Sequence, residues 1–231
     1  VTSLPKNIFS GNTTLTSVTM SRVATIGESA FENCTALESV TFGNTSVTIG
    51  DNAFKGSGLK TVSLQNVTAL GTAPGQINTG YVFSGCTELE TIEIGTSVTY
   101  LPIGAFYGCS SLRSVNIPSN VTTIGDSAFQ RCSSLSSVTI SDGVTKMSYA
   151  FRDCTSLKSV EIPSSVTSYG AAFWGCSNLE YVTINTTADI KEYTFYNCNI
   201  KEAKLTVTTP PVCDNGRFVW DRFFTFAPEA V

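Results

Sequence analysis

The apolar positions of this chain recur in one pattern, F-x-x-C-x-x-L-x-x-V-x-I, seen whole in SAFQRCSSLSSVTI (127–140). Phenylalanines anchor it at Phe9, Phe31, Phe54, Phe83, Phe106, Phe129, Phe151, Phe173 and Phe195. Successive anchors lie 22 or 23 residues apart, except for 29 between Phe54 and Phe83. Three positions after the phenylalanine stands Cys34, Cys86, Cys109, Cys132, Cys154, Cys176 or Cys198, with Asn12 and Ser57 in the first and third copies. Leu15, Leu37, Leu59, Leu89, Leu112, Leu135, Leu157 and Leu179 follow, with Ile200 in the last copy. Pairs such as Val115/Ile117, Val138/Ile140, Val160/Ile162 and Val182/Ile184 close the unit. A fixed period of this length marks a repeat solenoid, in which each unit buries its apolar face only against its neighbours.

The alternation in L-x-x-V-x-I predicts one short strand per repeat, and strands of successive repeats stack in parallel ~4.8 Å apart. After the strand comes a turn with Pro118, Pro163, Gly43, Gly95 or Gly143, then V-x-x-I-G, as in Val121/Ile124. Next come GESAF (27–31), GDNAF (50–54) and GDSAF (125–129). Glu28, Asp51 and Asp126 just before the apolar pair suit the first turn of a short helix or 3-10 segment, where free N–H groups favour negative charge. A metal site is the alternative for these acids, which no clustered D-x-D spacing supports. The architecture expected is a β/α superhelix of about nine repeats, with one parallel sheet and short helical or 3-10 turns, right-handed as parallel crossovers are.

One outward row tests the stacking. The residue after each repeat leucine, or after Ile200, reads Thr16, Glu38, Lys60, Glu90, Arg113, Ser136, Lys158, Glu180, Lys201. The charges alternate in sign, as expected if these residues are cross-strand neighbours that attract.

Composition narrows the function. The 231 residues carry a net charge of -4, only 14% are charged, and there is no basic patch, which argues against nucleic acid as a partner. No apolar run approaches the ~20 residues of a membrane-spanning helix. There is no histidine, which removes His-based acid–base catalysis and His metal sites. VTSLPKNIFSGNTTL (1–15) aligns with VTYLPIGAFYGCSSL (98–112), so the chain is expected to start inside a repeat and to be part of something longer. Its N-terminus therefore carries no address.

The nine copies of F-x-x-C-x-x-L-x-x-V-x-I, with V-x-x-I-G-x-x-A-F between them, resemble the BspA-like, or Treponema-type, bacterial leucine-rich repeats over residues 1–207. The tail TTPPVCDNGRFVWDRFFTFAPEAV (208–231) resembles the closing unit of such proteins and is expected to be a C-terminal cap, with an incomplete ending. It departs from them in Cys213 and in a dense aromatic run of Phe218, Trp220, Phe223, Phe224 and Phe226. The resemblance implies a secreted or cell-surface protein with no enzymatic activity and no cofactor. It also implies adhesion to host extracellular-matrix or cell-surface proteins; a glycan is the other partner expected of an extended, non-catalytic solenoid. The resemblance supplies no shared binding motif, so no functional residue is transferred by position.

Three sets of residues are candidates. The cysteine ladder reads first as buried thiols beside the core. Bridges between adjacent rungs and a soft-metal ladder are the other readings. On the sheet face most outward positions are Ser or Thr, which a solvated strand face explains. The more varied positions Glu93, Asn116, Glu161, Tyr181, Thr183 and Lys204 are the candidate binding residues, with Tyr181 and Glu161 foremost. GTAPGQINTGYVF (71–83) carries an insertion of about six residues and reads as a projecting loop. A scaffold that only displays another domain is the alternative to a binding role.

Overall fold

The computed structural model describes residues 2–43, 46–72, 79–191 and 193–207, and the backbone of residues 224–226. The L-x-x-V-x-I segments form β2 (Ser17–Met20), β4 (Ser39–Phe42), β6 (Thr61–Ser63), β8 (Thr91–Glu93), β10 (Ser114–Ile117), β12 (Ser137–Ile140), β13 (Ser159–Ile162), β14 (Tyr181–Ile184) and β15 (Glu202–Leu205). They pair in parallel in the orders β2-β4-β6-β8, β10-β12 and β13-β14-β15. Registers such as Val115↔Val138 and Val160↔Val182 join equivalent repeat positions. A further strand, β16 (Phe224–Phe226), pairs with β15, Ala203 opposite Phe224. The rest of the 208–231 tail, with Cys213, lies outside the described residues.

The expectation of a single sheet is incomplete. The V-x-x-I segments form a second parallel ladder, with β1 (Ser3–Leu4), β3 (Thr25–Ile26), β5 (Val47–Ile49) and β7 (Val67–Leu70) in one sheet. β9 (Tyr100–Leu101) and β11 (Thr123–Ile124) form another, and bridges at Lys146 and Ser168 extend it. These strands are two to four residues long, too short for a period-2 pattern to declare itself.

The helical or 3-10 turns are absent among the described residues. The segment around each phenylalanine divides its N–H groups between two kinds of partner. Ala30, Glu32 and Cys34 donate within the rung, to Gly27, Ser29 and Phe31. Ser29, Phe31 and Asn33 donate across to Asp51, Ala53 and Lys55 of the next rung. That division requires positive φ two positions before and two after each anchor: Asn7 and Gly11 around Phe9, Ser127 and Arg131 around Phe129, and likewise at all nine. A helix would point every N–H along the rung and leave none for the neighbour. Gly, Asn or Asp fills eight of the nine later positions (Gly11, Asn33, Gly56, Gly85, Gly108, Asp153, Gly175, Asn197), the residues that tolerate this conformation best.

The core is one continuous column. The nine phenylalanine rings stack in sequence with centroids 5.1–5.8 Å apart and interplanar angles of 3–19°. Phe54 and Phe83 stack at 5.4 Å despite the insertion between them. The repeat leucines and the V-x-x-I residues close around the rings, and Leu37, Leu59, Leu89, Leu112, Leu135, Leu157 and Leu179 are fully buried.

Candidate functional site

Seven of the cysteines are free thiols, six of them buried and Cys198 half-buried. Each sulfur donates to the carbonyl of the preceding rung's phenylalanine: Cys34 to Phe9 (3.0 Å), Cys132 to Phe106 (3.2 Å), Cys176 to Phe151 (3.1 Å) and Cys198 to Phe173 (3.1 Å). Cys86, Cys109 and Cys154 do the same. Burial pushes the Cys86 thiol up to about 11 and those of Cys132 and Cys198 up to about 12. The thiolate that nucleophilic chemistry or metal ligation needs is therefore suppressed at neutral pH. Where the ladder lacks a thiol, Ser57 meets Cys86 Sγ at 3.3 Å, and Asn12 turns its amide oxygen to the N–H groups of Thr14 and Leu15. Among the described residues no group of three or more Cys, Asp or Glu is placed to hold a metal ion. No helix there is long and apolar enough to cross a membrane.

The acids before the A-F pair serve rung contacts. Glu28 pairs with Lys6 at 2.8 Å. Asp51 accepts from Thr72 N (2.7 Å), Thr72 Oγ1 (2.5 Å) and Gly80 N (2.9 Å), so one carboxylate holds both ends of the insertion. Burial pushes Asp126 above the usual carboxylate range.

On the sheet face the structure brings Glu161, Thr183 and Lys204 into one row on adjacent strands, with Tyr181 beside Ser159 and Glu202 in the row next to it. Glu93 and Asn116 lie apart from them, on β8 and β10. Glu93 accepts from Ser63 Oγ (2.7 Å) and Gln65 Nε2 (2.9 Å), and Glu161 from Asn185 Nδ2 (2.6 Å). Thr183 is half-buried, whereas Tyr181 is 48% exposed. Along the edge of this face the alternating row forms ion pairs: Lys60–Glu38 (2.9 Å), Arg113–Glu90 (3.4 Å) and Lys201–Glu180 (2.7 Å).

A second cluster escapes a reading confined to the sheet face. On the turn side, Trp174 stacks on Tyr193 at 5.2 Å, Tyr196 stands edge-on to both, and the Arg152 guanidinium lies 4.1 Å over the Trp174 ring. Arg152 Nε is 3.5 Å from Asp153 Oδ2, too poorly aligned for a hydrogen bond. Arg131 covers Tyr107 more loosely, at 5.7 Å. Trp174 and Tyr196 directly follow anchor phenylalanines, and Tyr149 and Tyr193 precede theirs by two. Aligning the repeats on the anchor exposes these rows: the position after it reads Ser, Glu, Lys, Ser, Tyr, Gln and Arg before reaching Trp174 and Tyr196.

A family profile described as BspA type leucine rich repeat region, in six copies, matches residues 1–73 and 76–208, a break that falls in the insertion. Among solved structures, a leucine-rich repeat protein from Bacteroides ovatus is 26% identical over 94% of this chain and 67% of its own, with a TM-score of 0.61. A leucine rich cell surface protein from Faecalibacterium prausnitzii is 25% identical over 99% of this chain and 67% of its own, with a TM-score of 0.54. A leucine-rich repeat protein of T. pallidum, 23% identical over 85% of this chain and 81% of its own, shares the fold with a TM-score of 0.57. No curated protein sequence matches the chain.

Proposed function

Because the chain belongs to the BspA-type leucine-rich repeat family, we propose that it is a non-catalytic interaction module, secreted or held at a cell surface, that adheres to host or neighbouring cells by binding a protein or glycan. The observation that carries this reading is the distribution of exposed aromatics. Every exposed tyrosine of the chain (Tyr149, Tyr181, Tyr193 and Tyr196) lies within residues 149–196, where Arg152 and Trp174 also stand. Tyr, Trp and Arg are the side chains that dominate binding energy at interfaces. The Faecalibacterium relative is named as a cell surface protein, which supports the location.

Tyr181 and Glu161 on the sheet and Trp174 and Tyr196 on the turn side are the residues proposed to carry binding. The test is an array of extracellular-matrix proteins and glycans probed with wild type, Tyr181→Ala/Glu161→Ala and Trp174→Ala/Tyr196→Ala. A ligand lost in the first double variant locates recognition on the sheet face, and one lost only in the second locates it on the turn side. Full binding in both refutes the assignment.

The second reading is a spacer that displays another domain. It is favoured by the exposed Ser and Thr residues of β2, β4 and β6, which present no aromatic or charged contact of their own on that face. Absence of any ligand on the array supports it over adhesion.

A further inference from the structure

The charge row has one gap. From Glu38 to Lys201 it runs minus, plus, minus, plus, then neutral Ser136, then plus, minus, plus. Ser136 thus sits where the alternation calls for an anion, between Arg113 on one neighbouring rung and Lys158 on the other. Its own hydroxyl donates to the Arg113 carbonyl at 3.2 Å. Arg113 keeps only a loose pair with Glu90, at 3.4 Å, and both side chains are mostly exposed. No carboxylate lies within ion-pair distance of Lys158 among the described residues.

The gap opens into a groove of about 600 Å³ lined by Ser111, Arg113, Ser134, Ser136, Ser156, Lys158 and Asn178. Its lining holds two cations, five neutral hydrogen-bonding side chains, no carboxylate and no apolar side chain. The hydroxyls of Ser111, Ser134 and Ser156 have no hydrogen-bond partner among the described residues, so they are available to a ligand.

We propose that this groove binds an acidic glycan. A sulfate or carboxylate sits over Ser136, bridging Arg113 and Lys158, and sugar hydroxyls exchange hydrogen bonds with the serines and with Asn178. Arg113 and Lys158 are two rungs apart, roughly 10 Å along the axis at the parallel-strand spacing. One anion over Ser136 therefore lies about 5 Å along the axis from each cation's rung, within reach of both long side chains. An apolar or strand-adding peptide would need an apolar pocket or a free strand edge, and single-stranded nucleic acid an aromatic platform. The groove has none of these. An acidic peptide would use the two cations but leave the serine hydroxyls idle. The site is separate from the tyrosine surface and stands or falls independently of it.

The experiment is a calorimetric titration at low and high salt with three probes: a sulfated heparin hexasaccharide, an unsulfated oligouronate, and an oligoglutamate peptide. Wild type is compared with Arg113→Ala, Lys158→Ala, Ser136→Glu and the control Lys55→Ala. The site predicts saturable binding of at least one of the two glycans, weakened about tenfold by each cation deletion and weakened by salt. Ser136→Glu supplies the missing carboxylate from the protein itself, so it abolishes binding while the melting temperature holds or rises. Binding of heparin alone identifies a sulfate ester as the anion, and binding of the oligouronate a carboxylate. Failure of both glycans, equal affinity for oligoglutamate, or equal loss in Lys55→Ala overturns the proposal.

Discussion

Phe129 offers the sharpest test of the ring column. Its side chain has no exposed surface and lies between Phe106, at 5.2 Å and 9°, and Phe151, at 5.3 Å and 3°. Phe129→Ala removes a fully buried ring, which costs about 3–5 kcal/mol. Two stacked contacts are lost with it, each worth ~0.5–1.5 kcal/mol beyond burial, so the expected cost sits at the upper end, about 5 kcal/mol. Phe195 is 7% exposed and has one ring neighbour among the described residues, Phe173 at 5.8 Å. Phe195→Ala should therefore cost less, about 3 kcal/mol. Phe9 is 36% exposed and among the described residues stacks on Phe31 alone, and Phe9→Ala should cost about 1–2 kcal/mol. Urea denaturation followed by circular dichroism gives all three values. Because repeats couple only to neighbours, the central variant should also broaden the transition as the two halves begin to melt apart. Equal costs at the three positions, or the reverse order, would refute the continuous column.

Other outcomes follow from particular contacts. The buried thiols are neutral in the fold and titrate near 9 when unfolded, with Cys86 raised to about 11 and Cys132 to about 12. Stability should be flat below pH 9 and then fall by up to ~1.4 kcal/mol per pH unit per thiol up to those values, measured by melting in reducing buffer. Cys132→Ser, which keeps a donor for the Phe106 carbonyl, should be near neutral, whereas Cys132→Val removes this donor from a carbonyl that still accepts from Cys109 N and should cost about 1 kcal/mol. Gly108 has φ +70 and no atom within 4 Å of an added Cβ, so Gly108→Ala should still cost about 1 kcal/mol through backbone conformation alone. Asp51→Ala releases three hydrogen bonds from Thr72 and Gly80 and should lower stability by about 2 kcal/mol, measured by urea denaturation.

Much of the solenoid was legible because five side chains of each repeat must meet their counterparts in the next. Phe, Cys and Leu recur at positions that the structure stacks directly, and the Glu38, Lys60, Glu90, Arg113 row announces parallel register before any coordinates. The turn segments were misread because an acid before A-F carries the same signal whether the following N–H groups stay along a helix or cross to the next rung. The Gly and Asn residues two positions after the anchor held the distinguishing information. The candidate surface was legible where it lies on a strand, as at Tyr181, since alternation assigns its side. Trp174, Tyr193 and Tyr196 gather on turns, where the period-2 rule assigns no side and only alignment of the copies brings them into one neighbourhood.

The division of N–H groups between rung and neighbour also sets how the molecule carries load. Both sheets and the phenylalanine turns send their inter-rung hydrogen bonds along the solenoid axis. Tension applied between the two ends therefore loads the interfaces in series, each bearing the full force, so the weakest yields first. The array should peel from its weaker end in steps. Each freed 22-residue rung would release a contour of roughly 75 Å, so a solenoid of this build would yield gradually under tension and keep its remaining rungs folded.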